Sequence, residues 1–83
     1  MFAIAFDIVV RETAAHHPKS VTQAFTDIGN TLAGFGFEPI RGSVYVTGSE
    51  DLANLFRAIG ALEALPWLPR CVRDIRAFRI EQW

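Results

Sequence analysis

Nine residues near the start, Phe2-Ala3-Ile4-Ala5-Phe6-Asp7-Ile8-Val9-Val10, restrict the folds open to this chain. Successive side chains of a strand point to opposite faces. Phe2, Ile4, Phe6, Ile8 and Val10 then form one large apolar face, the floor of a core. Ala3, Ala5, Asp7 and Val9 form the other, small enough for another backbone or chain to approach closely. A carboxylate in so apolar a strand is costly unless it meets water, a cation or hydrogen-bond donors. Asp7 is therefore the first candidate functional residue.

Arg11 to Pro18 reads as a loop, with His16-His17 a solvated pair on it. Neighbouring histidines with no Cys or carboxylate at ligand spacing are a weak metal signal. Ser20-Val21-Thr22-Gln23 fits a capping box. Val21, Ala24, Phe25, Ile28, Leu32 and Phe35 follow at helical spacing, and Gly34 and Gly36 supply stop signals. Phe37-Glu38-Pro39-Ile40 predicts a short strand, placed at a sheet edge because Pro39 lacks an N–H. Arg41-Gly42 turns into a second alternating strand, Ser43-Val44-Tyr45-Val46-Thr47. With Val44 and Val46 in the core, its hydroxyl row would share the open face with Asp7.

Ser49 is a cap for a second helix, with Glu50 and Asp51 near its positive end and a stripe of Leu52, Leu55, Phe56, Ile59 and Leu62. Pro66-Trp67-Leu68-Pro69 ends it, Trp67 reading as a core or interface plug rather than a base-stacking platform. From Arg70 to Trp83, arginines recur at 70, 73, 76 and 79, a helix-like ridge, yet Val72, Ile75, Phe78 and Ile80 favour a strand. A strand with a bulge near Asp74 to Ala77 is expected, since strict alternation does not put Ile75 and Phe78 on one face.

Strand, helix, strand, strand, helix, strand is the split βαβ order of the α+β, ferredoxin-like fold. The expectation is one domain, residues 1–83, with a four-stranded antiparallel sheet and two helices on one face. The uncovered face would carry Ala3, Ala5, Asp7, Ser43, Tyr45 and Thr47, and would suit a homodimer. Composition agrees: 51% of the residues are hydrophobic in only 83 positions, more than a small monomer needs to hide. Net charge is −1, so any polyanion site must come from local arginines rather than a bulk basic field. The single Cys71 points to a reducing compartment, and the short, acid-bearing start is neither signal peptide nor membrane span. A cytoplasmic protein is expected.

The start Met1-Phe2-Ala3-Ile4-Ala5-Phe6-Asp7, the hairpin Gly42-Ser43-Val44-Tyr45 and the run Val72-Arg73-Asp74-Ile75-Arg76-Ala77-Phe78 together resemble virulence-associated protein D, the VapD group related to the small CRISPR-associated ferredoxin-fold nucleases. The resemblance spans nearly the whole chain. It implies a homodimeric ferredoxin-like endoribonuclease acting on messenger RNA, often the toxin paired with a small antitoxin protein. By the same resemblance Asp7 is the catalytic aspartate, with Ser43 and Asp74 further candidates. Many relatives carry a longer tail that can add a strand to a partner's sheet, whereas this chain stops at Trp83, which leaves the swapping of a fifth strand open.

Two chemistries fit. Two Asp7 carboxylates meeting across a dimer axis would bind Mg²⁺ or another divalent cation, or would share a proton. Without metal, one carboxylate would act as general base toward a ribose 2′-hydroxyl, and a deoxyribose strand would resist cleavage. Ser43 and Tyr45 would position the phosphate, while Arg73, Arg76 or Arg79 offset its charge. By default those arginines form a solvated rim, each exposed pair worth at most ~1 kcal/mol. The alternative is a non-catalytic dimer binding nucleic acid or protein, as the CRISPR-associated relatives illustrate.

Overall fold

Alternation in the first strand holds in the computed structural model, which describes residues 1–81. Strand β1 (Phe2–Ile8) buries Phe2, Ile4 and Phe6 and exposes Asp7. It is followed by α1 (Val10–His16), α2 (Val21–Ala33), β2 (Glu38–Arg41), β3 (Val44–Thr47), α3 (Leu52–Glu63), α4 (Leu68–Cys71) and β4 (Val72–Arg79). The sheet is antiparallel throughout, in the order β2-β3-β1-β4. This is the ferredoxin-like arrangement, with Pro39 on an outer strand and the apolar β1 in the interior. Ala24, Ile28 and Leu32 of α2, and Leu55, Ala58 and Leu62 of α3, close the core over Phe2, Ile4 and Phe6.

Residues expected to be a loop form helix α1 instead. Arg11, Glu12, Ala14 and Ala15 are good helix formers, but seven residues without a side-chain cap are marginal alone. Tertiary contacts hold the turn. The Val9 amide donates to the Cys71 carbonyl at 2.8 Å, and Thr13, fully buried, bonds the Val9 carbonyl at 2.9 Å. Helix α4, a single turn in what read as a plain connection, is the other half of this contact. Cys71 is buried and its thiol points to the Glu12 carbonyl at 3.6 Å.

His16 and His17 are likewise not one solvated pair. His16 is exposed beside Glu12, but the His17 side chain is 1% exposed. Its Nδ1 accepts the Lys19 and Ser20 amides at 2.9 and 3.2 Å, which fixes the proton on Nε2, facing Asp27 Oδ2 at 2.8 Å. The ring packs edge-on against Trp67, centroids 4.7 Å apart. Ser20 caps α2 through the Gln23 amide, as expected, but the Gln23 side chain turns forward to Asp27 at 2.9 Å rather than back to the cap. Those bonds, Gln23 first and His17 second, hold the Asp27 carboxyl below the usual carboxylate range. At α3 the capping side chain is Asp51, and the Ser49 hydroxyl accepts the Asp51 amide just ahead of the helix.

The largest correction concerns β3. Tyr45 pairs with Ile4 and Thr47 with Phe2, so both side chains face the helices, while Val46 and Val44 stand beside Ala3 and Ala5 on the open face. Tyr45 stacks on Phe6 at 6.0 Å. The absence of a side chain at Gly29 makes room for the phenol, since a methyl group there would lie 2.9 Å from Tyr45 Oη. One tyrosine ring buries more apolar surface than a valine, and the Thr47 hydroxyl is satisfied by the Ser49 amide at 3.2 Å.

Candidate active site

The final segment is a strand, and its bulge decides the site. Ile75 pairs with Phe6 on the helix side and Phe78 with Ala3 on the open side, so the two belong to opposite faces. The register shifts earlier than expected, between Asp74↔Asp7 and Val72↔Ile8, which makes Arg73 the extra residue. Bulges re-aim side chains in this way. Arg73 Nη1 comes within 3.7 Å of Asp7 Oδ2.

Asp7 and Asp74 are direct cross-strand partners, both exposed. Like charges placed so are destabilising, and two guanidiniums offset them: Arg73 at Asp7, and Arg76 Nε on Asp74 Oδ2 at 2.7 Å. A depression of about 220 Å³ lies here, lined by Ala5, Phe6, Asp7, Asp74 and Arg76. Ala5, opposite Arg76 in the register, keeps it open; the small face of β1 was the signal for that. The four charges sum to zero, and a polyanion entering the depression would meet two arginines that already hold two carboxylates in place.

This chain is 63% identical over 83 residues to an endoribonuclease VapD homolog of Neisseria gonorrhoeae, covering 100% of this chain and 90% of that protein. Identity is 59% to endoribonuclease VapD of Haemophilus influenzae, with the same coverage. It is 42% to that of Dichelobacter nodosus, over 100% of this chain and 89% of the relative. The chain belongs to the VapD family. No protein-family model matches it.

Of the residues that the VapD resemblance singled out, the fold brings Asp7 and Asp74 together and leaves Ser43 apart. The Ser43 carbonyl accepts the Phe6 amide at 3.1 Å, across β1 from Asp74. Alternation from Val44 puts the Ser43 side chain on the helix side. Tyr45 lies under α2, away from the open face. The arginine series divides as a strand requires. Arg73 and Arg76 join the carboxylates, whereas Arg79 pairs with Phe2, its guanidinium 5.3 Å from that ring and 2.9 Å from Glu50. Among the described residues no three His, Cys, Asp or Glu side chains stand together as a metal-ligand set. Nor is any helix there long and apolar enough to cross a membrane.

Proposed function

We propose that this chain is an endoribonuclease cleaving single-stranded RNA, with Asp7 as general base. The observation that carries the reading is the Asp7–Asp74 pair, opposed in the sheet register at an open depression, with Arg73 and Arg76 paired to its two carboxylates. A like-charge pair on an exposed sheet does nothing for stability, and such local conflicts concentrate at functional sites. The names of the VapD relatives supply the reaction class.

Arg73 and Arg76 bind the non-bridging phosphate oxygens by charge-assisted hydrogen bonds and stabilise the charge that grows there. Asp7 takes the proton of the adjacent 2′-hydroxyl as that oxygen attacks phosphorus. The bond to the 5′ oxygen breaks, and that oxygen takes a proton from water. The products are a 2′,3′-cyclic phosphate and a 5′-hydroxyl. Asp74 is a positioning residue, fixing Arg76. One chain offers two carboxylates, each already paired with a guanidinium, a poor donor set for a divalent cation unless a second copy adds its own Asp7. Apart from the water that protonates the leaving oxygen, each step above uses only the chain's own groups.

The partner is a second copy, docked through the open face. Exposed Phe78, with half-buried Ala5 and Val44, makes that face apolar beside the charged cluster, and the small Ala5 permits close approach. The setting is the cytoplasm, where messenger RNA is the substrate and a small antitoxin protein restrains the enzyme.

Wild type and Asp7→Asn, with dimer content measured alongside, are to be incubated with single-stranded RNA and its all-deoxy counterpart, in Mg²⁺ and in EDTA. RNA cleavage by wild type alone, in both buffers and with equal dimer content, is the expected result. Cleavage abolished by EDTA would replace the metal-free mechanism. Equal cleavage by both proteins would remove Asp7 from the chemistry, and RNA binding without cleavage would favour the non-catalytic module.

A further inference from the structure

A second, larger groove of about 510 Å³ adjoins the carboxylate depression and has no place in the chemistry above. Asp74 lines both, and Arg73, which pairs with Asp7, lines the groove as well. Its apolar lining is Leu68 and Pro69 of α4 and Val72 and Ile75 of β4, side chains against which a planar ring can pack. The volume falls within the roughly 300–1,000 Å³ of small-ligand sites. Glu63 stands in its lining.

Glu63 is the final residue of α3, where the helix dipole disfavours an acid, and no basic side chain lies in that last turn. It makes no ion pair among the described residues. Stability therefore gives no reason for a carboxylate here, whereas the groove does. An ionised carboxylate is acceptor-only, with two oxygens side by side. Guanine alone among the RNA bases presents two adjacent donors, N1–H and N2–H, on its Watson–Crick edge. Adenine and cytosine set an acceptor beside their single amine, and uracil flanks its one N–H with two carbonyls.

We infer that this groove is a base subsite, in which Glu63 receives the unstacked guanine of the nucleotide next to the scissile phosphate while Leu68, Pro69, Val72 and Ile75 hold its ring. The inference rests on the proposed ribonuclease reading for the position of the phosphate. Single-stranded RNA is generally read by such splayed bases, through stacking and edge hydrogen bonds.

The test uses oligonucleotides carrying one ribose in an otherwise deoxy strand, with guanine, inosine or adenine on either side of the cleavable bond. Inosine keeps N1–H and lacks the 2-amino group. Wild type is expected to prefer guanine over inosine by about tenfold in kcat/KM, the order of one bidentate base contact. Glu63→Gln is expected to bring that ratio close to one. An unchanged ratio in Glu63→Gln, or no guanine preference in a wild type that cleaves, overturns the subsite. Binding to all-deoxy strands, followed by fluorescence anisotropy, separates the two readings. Guanine-dependent binding lost in Glu63→Gln, without cleavage of any RNA, would retain the subsite and overturn the ribonuclease. Absence of both cleavage and base-dependent binding overturns both.

Discussion

Replacing Gly29 by alanine measures which way β3 faces. A mid-helix glycine costs roughly 1 kcal/mol relative to alanine, so in open space Gly29→Ala would stabilise by about that much. Here the new methyl group would meet Tyr45 Oη at 2.9 Å, with Tyr45 Cζ next at 3.8 Å. The ring is stacked on Phe6 and is not free to swing away. Overpacking costs about 1–3 kcal/mol, which outweighs the helix gain, so Gly29→Ala alone should destabilise by about 1 kcal/mol. Tyr45→Phe removes only the hydroxyl and should change stability by about 0.5 kcal/mol or less. In that background the closest ring atom is at ordinary contact distance, and Gly29→Ala should now stabilise by about 1 kcal/mol. The coupling expected from a double-mutant cycle is therefore about 2 kcal/mol. Urea titrations of the four proteins measure it, given equal m-values. Additive effects within about 0.5 kcal/mol would refute the placement of Tyr45 under α2 and return its hydroxyl to the open face. RNA affinity should not change in Tyr45→Phe.

Arg76→Ala should lower RNA cleavage at least tenfold with stability nearly unchanged, because its exposed bond to Asp74 contributes little to folding. Arg79→Ala should lower stability modestly, through loss of its cation–π and ion-pair contacts, and leave cleavage as it was; a reversed pattern in parallel melts and cleavage assays would overturn the division of the arginines. His17→Ala leaves two backbone amides and Asp27 without their partner and opens a cavity against Trp67. It should cost about 3 kcal/mol, a fall in Tm on the order of 15 °C. The lowered Asp27 carboxyl contributes stability that is complete above its ordinary value of 3.8 and lost as pH falls through the lower folded one. Asp27→Asn should therefore flatten the acid limb of a Tm-against-pH curve, and an unchanged limb would contradict the origin assigned to it.

Much of this was legible in local pattern. The period of two in residues 2–8 predicts a buried Phe2, Ile4 and Phe6 and an exposed Asp7, because strand alternation needs no partner to define it. Pro39 predicts an edge strand for the same kind of reason, a missing donor. The order of elements then leaves the ferredoxin-like sheet as the arrangement that covers one face with two helices.

What local pattern left open is everything that depends on pairing. Ser43 to Thr47 alternates equally well either way, and only its register against β1, with the space above Gly29, turned Tyr45 inward. Arginines at a spacing of three look like a ridge on paper, but a strand sends neighbours in that series to opposite faces. The bulge then carried Arg73 to Asp7 and left Arg79 over Phe2. Helix α1 and the burial of His17 rest on contacts with residues about fifty to sixty positions away, Cys71 and Trp67, which no window of sequence contains. The carboxylate pair arose in the same way, since Asp7 and Asp74 lie at opposite ends of the chain. An acid is visible in sequence; its neighbour across a sheet is decided by register, and register is a property of the packed core.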